Sequence, residues 1–181
     1  MGASARVALR PYRPGDEQAL FEALTVSRAE VGRWMPELQA PLSLDHLRAW
    51  VRDLPAIEAR SFELNRLIED PMDGTMLGSV GLARLSQVHR CAGLFYWVHS
   101  GRTGRGVATQ AIRAMAEEAF EALKLQRVEL LIAVGNVASL RAAEKAGAQR
   151  EGLLRKRFML ADGSHDALLL SLIPADLARS P

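Results

Sequence analysis

The chain has 181 residues, 49% of them hydrophobic and 24% charged, and a formal net charge of +2; this suits one soluble domain, 1–181, and is too mild a charge for a nucleic-acid partner. The lone Cys91 excludes an internal disulfide, and His46, His89, His99 and His165 are scattered without metal-ligand spacing, so no metal is expected. "MGASAR" has no apolar signal core and "ALLLSLI" is too short to cross a bilayer, so the expectation is a cytoplasmic chain with no membrane contact.

Taken in chain order, "VALRPYRPGD" reads as a short strand closed by a Pro/Gly turn. Asp16 is expected to cap a helix over "EQALFEALTVSRAEV". "RWMPELQAP" is a Pro-bounded connector, and Ser43 is placed to cap a second helix with Leu47, Trp50, Val51 and Leu54 on one stripe. "ARSFELNRLIE" sets Phe62, Leu64 and Ile68 among mostly polar neighbours, a strand pattern. "DPMDG" is a turn, "TMLGSVGLARL" a second strand of this group and "AGLFYWVHS" a third, mostly apolar one.

The next segment, "GRTGRGVAT" from Gly101 to Thr109, holds three glycines and two arginines and leads into a helix. Val107, Ala108, Ala111, Ile112, Met115, Ala119, Phe120 and Leu123 recur there at helical spacing. Glycines let a ligand approach the main chain, and a helix start offers unpaired N–H groups and partial positive charge. Together they read as an anion site or, equally, as a basic surface loop. The P-loop pattern, the dinucleotide fingerprint and the G-x-S-x-G elbow are all absent.

"RVELLIAV" is a strand. Asn136 caps a short helix over "ASLRAAEKA", which Gly147 ends. "QREGLLRKRFML" and "HDALLLSLI" form a hairpin across "ADGS". The order β-α-α-β-β-β-α-β-α-β-β is a mixed α/β pattern with an antiparallel meander in its middle.

This order, with "GRGVATQAI" after a strand ending in "YWV", resembles the GNAT superfamily of acetyl-CoA-dependent N-acetyltransferases. "NVASLRAAEKAGAQREGLLR" resembles its RimJ/RimL-type branch, the ribosomal-protein N-terminal acetyltransferases, through Asn136, Ser139, Lys145, Gly147, Glu151 and Gly152. The resemblance implies the GNAT acyl-CoA N-acyltransferase fold, an α/β (α+β) arrangement with a mixed, mostly antiparallel sheet of about seven strands and about four helices. It implies acetyl-CoA as co-substrate, held by the loop and helix start at Arg102, Thr103, Gly104, Arg105, Gly106, Val107, Ala108 and Thr109. Thr103 departs from the family's usual Gln or Arg. Arg102 and Arg105 either meet CoA phosphates or are solvated surface. Trp97 and Val98 stand on the strand expected to splay from its neighbour and pair with pantetheine, the alternative for Tyr96 and Trp97 being plain core aromatics; an N–H near Val98 would polarise the thioester carbonyl.

The family's usual helix Tyr is replaced by Ala143, so the resemblance assigns to Ser139 the donation of a hydrogen bond, or a proton, to the CoA sulfur; otherwise Ser139 simply bonds the helix start. Asn136 is expected to contact pantetheine or a water, besides its cap. The strand before the loop lacks the Glu that relatives use as base, leaving Glu69, Asp70, His99, Glu151 and Asp166 as candidates. A ping-pong acyl-Cys91 is set against a buried strand residue. Trp34, Met35 and Glu37 are expected to wall the acceptor site, beside Trp50 and Glu30.

The implied reaction is direct transfer of acetyl to a primary amine in a ternary complex. The acceptor is expected to be a protein or peptide N-terminus, for instance ribosomal; the alternatives are a small molecule such as a polyamine, amino acid or antibiotic, or a non-catalytic acyl-CoA-binding sensor. A homodimer through the C-terminal strands is a further expectation.

Overall fold

The computed structural model describes residues 6–61 and 63–178. Seven strands form one sheet in the order β1-β2-β3-β4-β5-β7-β6. β1 (Ala8–Arg10), β2 (Leu64–Glu69), β3 (Met76–Ser86) and β4 (Cys91–Val98) run antiparallel to one another. β5 (Arg127–Ala133) joins β4 in parallel, and β7 (Gly163–Leu172) and β6 (Gln149–Leu160) close the sheet antiparallel. The expected element order therefore holds, with α5 (Pro174–Leu177) added at the end.

Alternation along the strands feeds two cores. On one face Leu20, Ala23 and Leu24 of α1 (Asp16–Gly32) and Val51 of α2 (Leu44–Ser61) pack on Leu67, Met76 and Trp97. On the other, Ala111, Ile112, Met115 and Ala119 of α3 (Val107–Glu121) and Leu140 and Ala143 of α4 (Val137–Lys145) pack on Ile68, Val80, Leu82, Val128, Leu130 and Leu170.

Three local expectations are corrected. Gly15, in a left-handed conformation, is the N-cap of α1 rather than Asp16, whose carboxylate takes Arg10 and the Arg13 N–H instead. α2 runs through Pro55 to Ser61, so a helix occupies the first part of the expected strand "ARSFELNRLIE". Glu58 then reaches forward to accept the Asn65 N–H at 2.5 Å, which fixes the start of β2 to the last turns of the helix. The expectation for Phe62 lies outside the described residues. Leu123 falls beyond α3 and is 38% exposed. Ser43 does cap α2, accepting the His46 N–H at 3.4 Å.

Candidate active site

β4 and β5 are paired only over Cys91↔Arg127, Ala92↔Val128 and Gly93↔Glu129. Beyond Gly93, β4 stays on β3 as far as Val98, while β5 stays on β7 as far as Ala133. A wedge opens between them, about 16 Å long at some 3.3 Å per residue. The His99 N–H bonds Leu77 of β3 at 2.8 Å. Successive residues of a strand turn their polar groups to opposite sides, so Val98 and Tyr96 direct N–H and C=O into the wedge. An extended amide-bearing ligand fits there as an added strand.

The glycine loop stands at the mouth of this wedge. Gly104 (φ 74°) and Gly106 (φ 82°) are left-handed, and Gly106 is the N-cap of α3. Gln110 makes the first turn's bond, to the Gly106 carbonyl at 3.1 Å, so the N–H groups of Val107, Ala108 and Thr109 point out of the helix end. The loop is tied from behind: Ser27, fully buried in α1, accepts the Ser100 N–H at 3.0 Å. The Thr103 hydroxyl bonds the Ser100 carbonyl, and that of Thr109 bonds the Ala142 carbonyl of α4. These side chains brace the loop and leave the main chain facing outward. Arg102 is half-buried near Asp73, whose carboxyl is held low chiefly by the Thr75 N–H, with Arg102 adding; Arg105 is exposed. The donors suit a pyrophosphate in chemistry and in position.

At the open end of the wedge, just past the end of β5, α4 presents Asn136 and Ser139. Asn136 Oδ1 accepts the Ser139 N–H at 3.1 Å, so the expected cap is present. The Ser139 hydroxyl lies 2.6 Å from that of Tyr96, across the gap on β4. Burial pushes the Tyr96 hydroxyl above its ordinary value, against the lowering effect of Ser139. Tyr96 therefore stays protonated at neutral pH and is competent to donate to Ser139 Oγ. Sequence reasoning placed Tyr96 on this strand end but gave it no chemical role. The strand alternation, which sends Tyr96 and Trp97 to opposite faces, was the available signal.

Trp97 is a correction to the expected ligand-binding set. Its ring is buried in the α1–α2 core, and its carbonyl turns toward β3, within 2.2 Å of where a Cβ on Gly78 would stand. Cys91 sits where β4 and β5 are still paired, at the closed end of the wedge, which removes the acyl-cysteine route.

Four base candidates are committed to structural bonds. Glu151 is bound by both Arg127 and Ser171, which hold its carboxyl down at about 2, so it is no base at neutral pH. Glu69 pairs with Arg10 at 2.6 Å, two strands out from β4. Asp70 accepts the Met72 N–H inside its own turn. His99 accepts the Gly101 N–H on Nδ1 at 3.0 Å, so its neutral ring carries the proton on Nε2 and has no free acceptor. Asp166 is at the wedge: its carbonyl accepts the Val134 N–H, while Oδ1 accepts that of Lys156.

Of the expected acceptor wall, Trp34 packs against Gly135, immediately before Asn136, where an added Cβ would meet its ring at 3.4 Å. The Arg33 guanidinium lies 4.8 Å from the ring centroid. Met35 packs into the α1–α2 core, and Glu37 is exposed on the 3-10 turn Pro36–Gln39. Trp50 is edge-on to Tyr12 at 5.1 Å, inside that same core.

Residues 6–149 match the family described as Acetyltransferase (GNAT) domain. The Bacillus subtilis protein named ribosomal N-acetyltransferase YdaF is 30% identical over 92% of this chain and 91% of its own. Two structures share the fold. RimL, a ribosomal L7/L12 alpha-N-protein acetyltransferase in complex with coenzyme A, superposes with a TM-score of 0.85 at 20% identity, over 95% of this chain and 96% of its own. The spermidine N-acetyltransferase from Vibrio cholerae, in complex with CoA and spermine, superposes at 0.79 and 21%, over 96% and 98%. The splayed β4–β5 wedge, the glycine loop and these matches together establish that the chain belongs to the GNAT family and is an acetyl-CoA-dependent N-acetyltransferase.

Proposed function

We propose that the acceptor is the N-terminal α-amine of a protein or peptide, acetylated by direct attack in a ternary complex. The observation that carries this reading is the state of the base candidates. Glu151, Glu69, Asp70 and His99 are each engaged elsewhere, and Asp166 has one carboxylate oxygen already on the Lys156 N–H. A site so poor in free bases suits the amine that needs least help. An α-amine has a pKa of about 8 against about 10.4 for lysine, and two units correspond to about 2.7 kcal/mol of deprotonation work. The names of YdaF and RimL agree with the reading, whereas the spermidine enzyme has the same fold and a different acceptor.

In this account acetyl-CoA supplies the thioester. The loop and α3 hold its phosphates through main-chain N–H groups of Gly104 to Thr109, with Arg105 and Arg102 adding charge. The Val98 N–H stabilises negative charge developing on the carbonyl oxygen. The neutral amine attacks the carbonyl carbon: a C–N bond forms, the C–S bond breaks, and the departing sulfur takes its proton from Ser139. Tyr96 donates its hydrogen bond to Ser139 Oγ as that proton leaves, and the proton lost by the amine passes to water, which returns one to the Ser139–Tyr96 pair so that both are protonated for the next turnover. Asn136 holds the start of α4, and with it Ser139, against the wedge. The reaction belongs to the cytoplasm, where acetyl-CoA and nascent N-termini meet.

A thiol-release screen across free-N-terminus peptides, polyamines and aminoglycosides tests the acceptor class. Steady turnover with peptides is the expected result. Turnover confined to spermidine or an aminoglycoside would overturn it.

A further inference from the structure

The edge strand β6 is interrupted beside the active site. Its register on β7 shifts between Leu154 and Phe158, and the residues set out of the ladder are Arg155, Lys156 and Arg157, all exposed. Lys156 has φ 54°, a left-handed conformation that a lysine keeps only where its surroundings impose it. What imposes it is Asp166, whose carboxylate accepts the Lys156 N–H at 2.8 Å. The Asp166 carbonyl in turn accepts the Val134 N–H, two residues before Asn136. The bulge is thus fastened to the end of β5, at the open end of the wedge.

Leu153, Leu154, Arg155, Lys156, Arg157 and Asp166 bound an open groove of about 700 Å³. None of the three cationic side chains has a hydrogen-bond or ion-pair partner among the described residues. The nearby acids are engaged: Asp166 with the bulge itself, and Asp162 at the hairpin tip with His165 at 2.7 Å. Arg33, at the end of α1 and stacked on Trp34, lies close enough to Asp162 to help His165 hold its carboxyl low. Unpaired positive charge therefore lines the groove beside the end of β5.

Resting on the α-amine reading above, we propose that the Arg155–Lys156–Arg157 groove docks the acceptor polypeptide and selects chains with acidic side chains shortly after the reacting amine. β6 lies two strand spacings from β5, about 10 Å, and an extended chain covers about 3.3 Å per residue, so the acidic positions begin at about the third residue. Complementary charge raises the rate of encounter and fixes the register of the peptide, and it repels a polycation such as spermidine.

The test uses peptides with the same two neutral first residues and then Asp/Glu, Gly/Ser or Lys at positions three to six. Three exposed charge pairs worth about twofold each multiply to about tenfold in kcat/KM for the acidic over the neutral peptide at low salt, and the ratio shrinks at high salt. In Arg155→Glu/Arg157→Glu the ratio falls to one or inverts, while calorimetry shows unchanged acetyl-CoA affinity. Equal kcat/KM for acidic and neutral peptides in the wild type, or a ratio that survives in the variant, overturns the docking site and leaves the α-amine reading standing. Competition by a single-stranded RNA oligonucleotide, or a dimer in solution that the variant dissociates, gives the face another occupant and also overturns it. No turnover of any peptide, with turnover of spermidine, overturns the α-amine reading itself and the docking site with it.

Discussion

Tyr96→Phe removes one oxygen and leaves the ring in place on the α3–α4 side of the sheet. The lost contact is the 2.6 Å bond to Ser139 Oγ. As a folding interaction such a bond is worth about 0.5–1.5 kcal/mol, which limits any fall in stability. If Tyr96 acts by supporting the proton that Ser139 gives to sulfur, about 1–1.5 kcal/mol is lost from the transition state, or about five- to twelvefold in kcat. KM for acetyl-CoA stays constant, because the contact strengthens only as sulfur departs. Ser139→Ala removes the donor itself and costs more, about a hundredfold. The double variant is no slower than Ser139→Ala, since Tyr96 acts through Ser139 and has nothing left to support. The assay is thiol release at saturating acetyl-CoA, with single-turnover measurements showing that chemistry limits the rate. The Tyr96 effect is level through the neutral range because burial keeps its hydroxyl protonated there. An unchanged kcat in Tyr96→Phe, or losses that multiply in the double variant, would refute the relay and leave Ser139 as a residue of the helix start.

Gly106→Val places a β-branched residue at φ 82°, a conformation costing an ordinary L-residue about 1–2 kcal/mol, and covers the main chain that faces the phosphates. Calorimetry is expected to show acetyl-CoA affinity lost with circular dichroism unchanged; wild-type affinity would remove the loop from the binding site. Glu151 sits at about 2 in the folded chain, lowered from 4.5 by Arg127 and then Ser171. A depressed carboxyl stabilises the fold above its unfolded value and stops doing so as pH falls through its folded one, so the Tm gap between wild type and Glu151→Gln closes between pH 4.5 and about pH 2. The exposure of Glu151 keeps that gap small. A gap constant across this range would show that the Arg127 pair contributes nothing.

The strands, the loop-to-helix junction and the Asn136 cap were legible because each depends on residues close in sequence. The glycines of "GRTGRG" take the left-handed angles that such a loop needs, and Asn136 meets the N–H three residues on. What escaped is long-range. Tyr96 and Ser139 are 43 residues apart, and no local pattern pairs them. Asp16 has the chemistry of a cap, yet Arg10 on β1 takes its carboxylate, a competition set by the turn between them. The polar–apolar alternation in "ARSFELNRLIE" read as strand throughout, yet α2 runs through Pro55 to Ser61 and takes its first residues. Trp97 was placed with the ligand by its position in "YWV", and the pleat sends it to the other core.

The central claim, transfer of acetyl to an α-amine and not to lysine, is tested most directly with two matched peptides, one with a free N-terminus and no lysine, the other N-terminally blocked with a single internal lysine. Mass spectrometry of the products after incubation with acetyl-CoA locates the added acetyl group. The account predicts acetylation of the first peptide at its α-nitrogen and little or none of the second; preferential acetylation of the blocked lysine peptide would contradict it.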